Sequence, residues 1–111
     1  MKKSISSDDT ALLLANWRDD KAPVWVAFSG KDDTSGTFLG WVTPTPSEWF
    51  ISGRRLSLAF TLERAECAYD DTRDADRSVQ ERFVCFIELR WPAEGEGCVL
   101  YELRGRPTRE A

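Results

Sequence analysis

The hydrophobic positions change period once along this chain, near residue 22. Before it, Leu13, Leu14 and Trp17 recur at helical spacing, Ser6 or Ser7 can cap the start, and Asp8 and Asp9 suit the positive end of a helix dipole. One N-terminal helix over 7–21 is expected, ended by Pro23, which bars Ala22 from the helical region. From Val24 onward the period is two. "VWVAF" (24–28), "TFLGWVT" (37–43) and "EWFIS" (48–52) read as strands, with "KDDTSG" (31–36) as a polar connection. Pro44 and Pro46 lack a backbone donor, so the ladder must break or lie at an edge between the second and third.

The clearest alternation is "LSLAFTLE" (56–63), with Leu56, Leu58, Phe60 and Leu62 on one face; it is expected to continue, bent, through Ala65, Cys67 and Tyr69. "RFVCFIELRW" (82–91) sets Phe83, Cys85, Ile87, Leu89 and Trp91 against Val84, Phe86, Glu88 and Arg90. Pro92 stops it, "AEGEG" (93–97) turns the chain, and "CVLYELR" (98–104) returns. The polar stretch 70–81 reads as a loop or short helix, and 105–111 as a frayed tail. About six hairpin-linked strands avoid exposed edges most economically by curling, and Gly36 and Gly40 sit where a barrel corner would need them. The expected fold is mainly β: a single domain over 1–111, a small antiparallel β-barrel (24–104) behind one helix.

Composition changes the picture mainly by exclusion. With 41% hydrophobic residues, five tryptophans and 111 residues, the chain can build one core. Fifteen Lys and Arg against 19 Asp and Glu leave a net charge of -4 and no long basic run, which disfavours nucleic acid as a partner. Cys67, Cys85 and Cys98 are an odd set in apolar surroundings, the usage of free thiols in a reducing compartment, so a cytoplasmic location is expected. Asp8 and Asp9 interrupt any signal-peptide pattern after Lys2 and Lys3, and no apolar run approaches the roughly 18 residues of a membrane span.

The helix, "VWVAFSG", Gly36, Phe38, Gly40, Trp41 and the strand end "WFIS" together resemble the first motif of the Sm-like small β-barrel superfamily over residues 8–52. The resemblance implies a barrel and ring-like association. It does not carry over an RNA site, because "WVTPTPSEWF" (41–50) has neither the acidic residue nor the asparagine with which that family holds bases.

No histidine is present, which removes Ser-His and Cys-His nucleophile pairs and the commonest metal ligand. The cysteines form no C-x-x-C unit, no phosphate-binding glycine loop appears, and no cofactor is expected. Asp70, Thr72, Asp74, Asp76, Ser78 and Glu81 fall on an EF-hand-like register, but Ala75 stands at the sharp-turn glycine position and Arg73 and Arg77 compete. The loop is read as a solvated, self-neutralising charge run. "RDADR" (73–77) has the R-x-x-x-R spacing of a PilZ barrel, without the D-x-S-x-x-G that should follow.

What remains is contact chemistry. Trp41 shares parity with Thr37, Leu39 and Thr43, opposite Phe38 and Val42, while Trp49 shares parity with Ile51, opposite Phe50. Both faces of these strands are apolar, as they are at Val84, Phe86, Val99 and Tyr101. That is more than one small barrel can enclose, so a non-enzymatic role through a protein partner or homo-oligomer is expected. Trp41, Trp49, Arg54 and Arg55 are the candidate contact residues, being the residue types that anchor interfaces. Two alternatives are an Sm-like oligonucleotide-binding barrel and a small carboxylate-dependent hydrolase, the latter requiring a concave pocket that gathers two carboxylates.

Overall fold

The computed structural model describes residues 2–30, 34–44 and 48–104. Pro46 and the expected tail 105–111 lie outside them. Strand β1 (Lys3–Ile5) leads into helix α1 (Ser7–Asp19), followed by β2 (Pro23–Ser29), β3 (Ser35–Pro44), β4 (Trp49–Gly53), β5 (Ser57–Phe60), β6 (Glu66–Asp70), a short α2 (Arg77–Arg82), β7 (Phe83–Trp91) and β8 (Glu96–Leu103). All eight strands form one antiparallel sheet in the order β1-β6-β7-β8-β2-β3-β4-β5. Two meanders, β2 to β5 and β6 to β8, meet where β8 pairs with β2.

The chain is mainly β behind an N-terminal helix, but it is not a six-strand closed barrel. Two strands were hidden in the sequence. Three-residue β1 is too short to show alternation, and the stretch from Leu56 to Tyr69 is cut in two by a turn. There Ala65 N–H donates to Leu62 O at 3.2 Å and Arg64 takes a left-handed φ of 60°. The chain then crosses to the far end of the sheet, so β5 and β6 are not neighbours. The seam between β5 and the opposite side is bridged by side chains and not by a ladder. Trp91 Nε1 donates to Thr61 O at 3.1 Å, Ser7 Oγ to Leu62 O at 3.4 Å, and the Phe60 and Trp91 rings lie 5.8 Å apart.

The register fixes which side chains face inward. Val24, Val26, Phe38, Val42, Ile51, Cys85, Ile87, Leu89, Cys98 and Leu100 share the inner face and are buried. Each fully buried aliphatic side chain contributes about 1.5–3 kcal/mol. Helix α1 lies against this face through Thr10, Leu14 and Trp17, one helical stripe. Its start is capped by Ser6, whose Oγ accepts from Asp9 N–H at 3.0 Å.

Its end is a Schellman arrangement, in which Ala22 N–H donates to Trp17 O at 2.9 Å and Lys21 N–H to Arg18 O at 3.2 Å. Lys21 occupies the left-handed position, φ 53°, that glycine takes without steric cost. Lys21→Gly is therefore expected to stabilise the protein by about 0.5–1 kcal/mol, seen as a higher urea midpoint with an unchanged m-value. An unchanged or lower midpoint would refute the steric account.

Candidate functional site

Two surfaces emerge from this register, one at the open lower end of the curled sheet and one on its outer face. At the lower end, β2 and β7 finish while β3 and β8 begin, and the start of β4 and the end of β5 line the same opening. Phe28, Leu58, Phe60, Trp91 and Cys98 form the floor of a cavity of about 730 Å³. Glu48, Glu63, Glu94 and Glu96 line it with Arg64. All five charged groups are exposed. The turn that presents Glu94 and Glu96 is set by Gly95, φ 69°, with Glu94 N–H donating to Trp91 O at 3.0 Å and Gly95 N–H to Pro92 O at 3.2 Å.

The upper end is closed by α1 and holds a polar cluster. Glu102 Oε1 accepts from Trp17 Nε1 at 3.0 Å and from the Cys85 thiol at 3.4 Å. Burial, then the neighbouring Glu102 charge and the hydrogen bond to it, push Cys85 up to about 12. Burial and then the adjacent Cys85 push the Tyr69 hydroxyl up to about 12. Burial alone does the same to Cys98. All three cysteines are free and buried. A thiol held protonated and enclosed is a poor nucleophile, so this cluster ties the helix to the sheet and offers no reactive group.

The outer face carries a row of cross-strand partners running Phe86, Tyr101, Trp25 and Leu39 across β7, β8, β2 and β3. All four are half-buried. The Phe86 and Tyr101 rings are 5.4 Å apart, and Phe83, turned to this side by the bulge between Phe83 and Cys85, lies 4.9 Å from Tyr101. Ala27, Val99 and Thr37 form the row beside it. Trp41 stands at the next outward position of β3 and is 40% exposed. Helix α1 packs on the opposite face. Glu88 is held by Lys2 at 2.8 Å, and Glu66 stands opposite Arg90 in register; Asp70, the cross-strand partner of Phe86, accepts from Thr72 N–H at 3.3 Å, and Arg82 lies 5.1 Å from the Phe83 ring.

The four residues singled out from the sequence are divided by the fold. Trp41 belongs to the outer face. Trp49 points inward, half-buried beside Phe60, its cross-strand partner. Arg54 and Arg55 are exposed in the β4–β5 turn, just beyond Ser52, the cross-strand partner of Trp41. Trp25, Leu39, Phe86 and Tyr101 are the residues that join Trp41; the signal for them was the double-sided apolar pattern, which needed strand order before it became a row.

In the loop 70–81, Thr72 is 2% exposed and its Oγ1 donates to Val84 O at 3.2 Å, while Thr72 N–H donates to Asp70 Oδ1 at 3.3 Å. Arg73 pairs with Asp71 at 3.1 Å and Arg77 with Glu81 at 3.2 Å. Among the described residues, no group of three or more His, Cys, Asp or Glu is placed to hold a metal ion, and no helix is long and apolar enough to cross a membrane. Comparison of the chain with protein-family models, with curated proteins and with solved structures gives no match.

Proposed function

We propose that this chain is a non-enzymatic cytoplasmic contact domain that associates with a second copy of itself through the outer face of the sheet. The observation that carries this reading is the uncharged apolar row Phe86, Tyr101, Trp25 and Leu39, extended by Trp41, on a face that α1 leaves open. Large exposed apolar patches mark interaction surfaces. The molecule carries a net charge of -4, so copies repel unless they meet where charge is absent or internally paired. The row itself meets that condition, with Asp70 at its β6 end and Arg82 beside Phe83 at its margin.

A two-fold axis parallel to the strands through the middle of the row would lay Phe86 against the second copy's Leu39, and Tyr101 against its Trp25. Two-fold self-contact is the commonest form of association. Because the sheet curls away on both sides, the contact centres on β8 and β2 and falls at the low end of stable interfaces, below about 800 Å² per copy.

Sedimentation velocity at about 100 µM is expected to show a dimer that dissociates on dilution. Phe86→Glu and Leu39→Arg are each expected to give monomers, and the double variant to restore the dimer, since the introduced acid and base then face each other. Circular dichroism checks that each variant folds. A strict monomer at 100 µM would overturn the reading. So would a ring of five or more copies, the association that the Sm-like resemblance implies. Failure of the double variant to recover would overturn the pairing geometry.

The hydrolase alternative has one observation in its favour, the four carboxylates around the lower cavity. Glu94 and Glu96 come from one turn and Glu48 and Glu63 from two other segments; all four line the exposed rim and supply charge at the entrance, which suits selection of a ligand more than acid–base chemistry at the floor.

A further inference from the structure

We infer that the lower mouth of the sheet is a binding site for a small amphiphilic amine, a cationic head on an apolar body. The cavity volume, about 730 Å³, falls within the range of small-molecule sites, and the mouth of a curled β-sheet is one of their usual places. Its floor is aromatic and aliphatic: Phe28, Phe60 and Trp91 from three different strands, with Leu58. The floor selects an apolar body.

The rim selects the sign of the head. Four carboxylates, Glu48, Glu63, Glu94 and Glu96, surround the cavity against one guanidinium, Arg64, among the described residues. A concave wall of low dielectric focuses that negative potential into the opening. Aromatic faces attract the same cation through their quadrupoles, and Trp does so best. Fatty acids, phosphates and other anions meet both an opposing field and ring faces of the wrong sign. The site lies inside the curl, away from the outer face, so it stands or falls independently of self-association.

Octylammonium, 1-octanol and octanoate share one tail and differ in head charge. Isothermal titration at low ionic strength is expected to give 1:1 binding of octylammonium with a dissociation constant below about 1 mM. Octanol is expected to bind about tenfold more weakly, and octanoate not measurably. Adding 0.5 M NaCl should draw octylammonium toward octanol, because an exposed rim is screened. The double variant Glu94→Gln with Glu96→Gln should weaken octylammonium about fivefold or more and leave octanol unchanged. Leu58→Asn should weaken both. Equal binding of the three heads, no saturable binding of octylammonium, or a preference for the amine that survives the double variant would each overturn the site.

Discussion

Raising the pH from 9 to 12 is expected to unfold the protein cooperatively, and the slope of stability against pH is expected to report about two protons. Cys98 lies on the inner face between Phe28 and Leu89, and burial lifts its thiol from the ordinary 9.0 to about 12. Cys85 is lifted likewise, because its thiolate would be buried and would stand 3.4 Å from the Glu102 carboxylate. The direction of the effect follows from linkage. The folded state keeps protons that the unfolded chain has already shed, so stability is whole below pH 9 and falls until the folded thiols ionise near 12.

For Cys98 that gap, at about 1.4 kcal/mol per pH unit, is on the order of 4 kcal/mol. Cys85 adds in the same direction, and Tyr69, raised from 10.0 to about 12, adds a smaller share above pH 10 because it is only half-buried. A domain of this kind holds about 5–15 kcal/mol in total, so the loss consumes a large part of it. Urea titrations in reductant at half-unit steps from pH 8 to 11.5 measure the slope. Cys98→Ala should lower stability at pH 8, by loss of packing, and reduce the slope by about one proton. A slope unchanged by that substitution would sink the account, whatever the variant's baseline stability.

The same inner and outer bookkeeping explains how much of the molecule was readable in its sequence. Parity placed Trp41 with Leu39 and opposite Val42, and the register confirms that division, as it does for Trp49 with Ile51. The helix and its Ser6 cap were readable because capping and the Leu14–Trp17 stripe are local signals. Thr10 was not, since a fully buried threonine whose hydroxyl donates to Ser6 O at 2.9 Å has no signature in hydrophobicity.

The clearest alternation, Leu56 to Leu62, misled about length. Gly53 N–H donates to Leu56 O at 2.8 Å, which leaves Leu56 in a turn and 48% exposed, and only four residues pair. Strand order is non-local. Nothing between Leu62 and Glu66 states that the chain crosses from one edge of the sheet to the other. Without that crossing, neither the row on the outer face nor the ring of carboxylates at the mouth could be assembled, because each draws on strands from both meanders.

Gly40 and Gly53 carry the second large effect, since the backbones of β3 and β4 approach each other there too closely to admit a side chain. They are cross-strand partners at the end of the β3–β4 ladder. A Cβ on Gly40 would stand 2.7 Å from Ser52 O and 2.9 Å from Ser52 C; one on Gly53 would stand 2.7 Å from Leu39 O. These neighbours are backbone, which cannot rotate away as a side chain can, so a methyl group at either place forces the two strands apart. Gly40→Ala is expected to cost about 3 kcal/mol, the upper range for overpacking, and to lower the melting temperature by roughly 10–20 °C.

Gly30→Ala is the matched control, because its nearest neighbours are Glu96 Oε2 at 3.7 Å and Glu96 Cγ at 3.8 Å, the end of a movable side chain. It should stay within about 0.5 kcal/mol of the parent. Differential scanning calorimetry of the two variants decides the matter. If they melt together, the close approach of β3 and β4 does not limit what position 40 can hold. If Gly40→Ala alone falls, the backbone of β4 at Ser52 sets a steric limit at position 40, between Leu39 and Trp41, that only glycine meets.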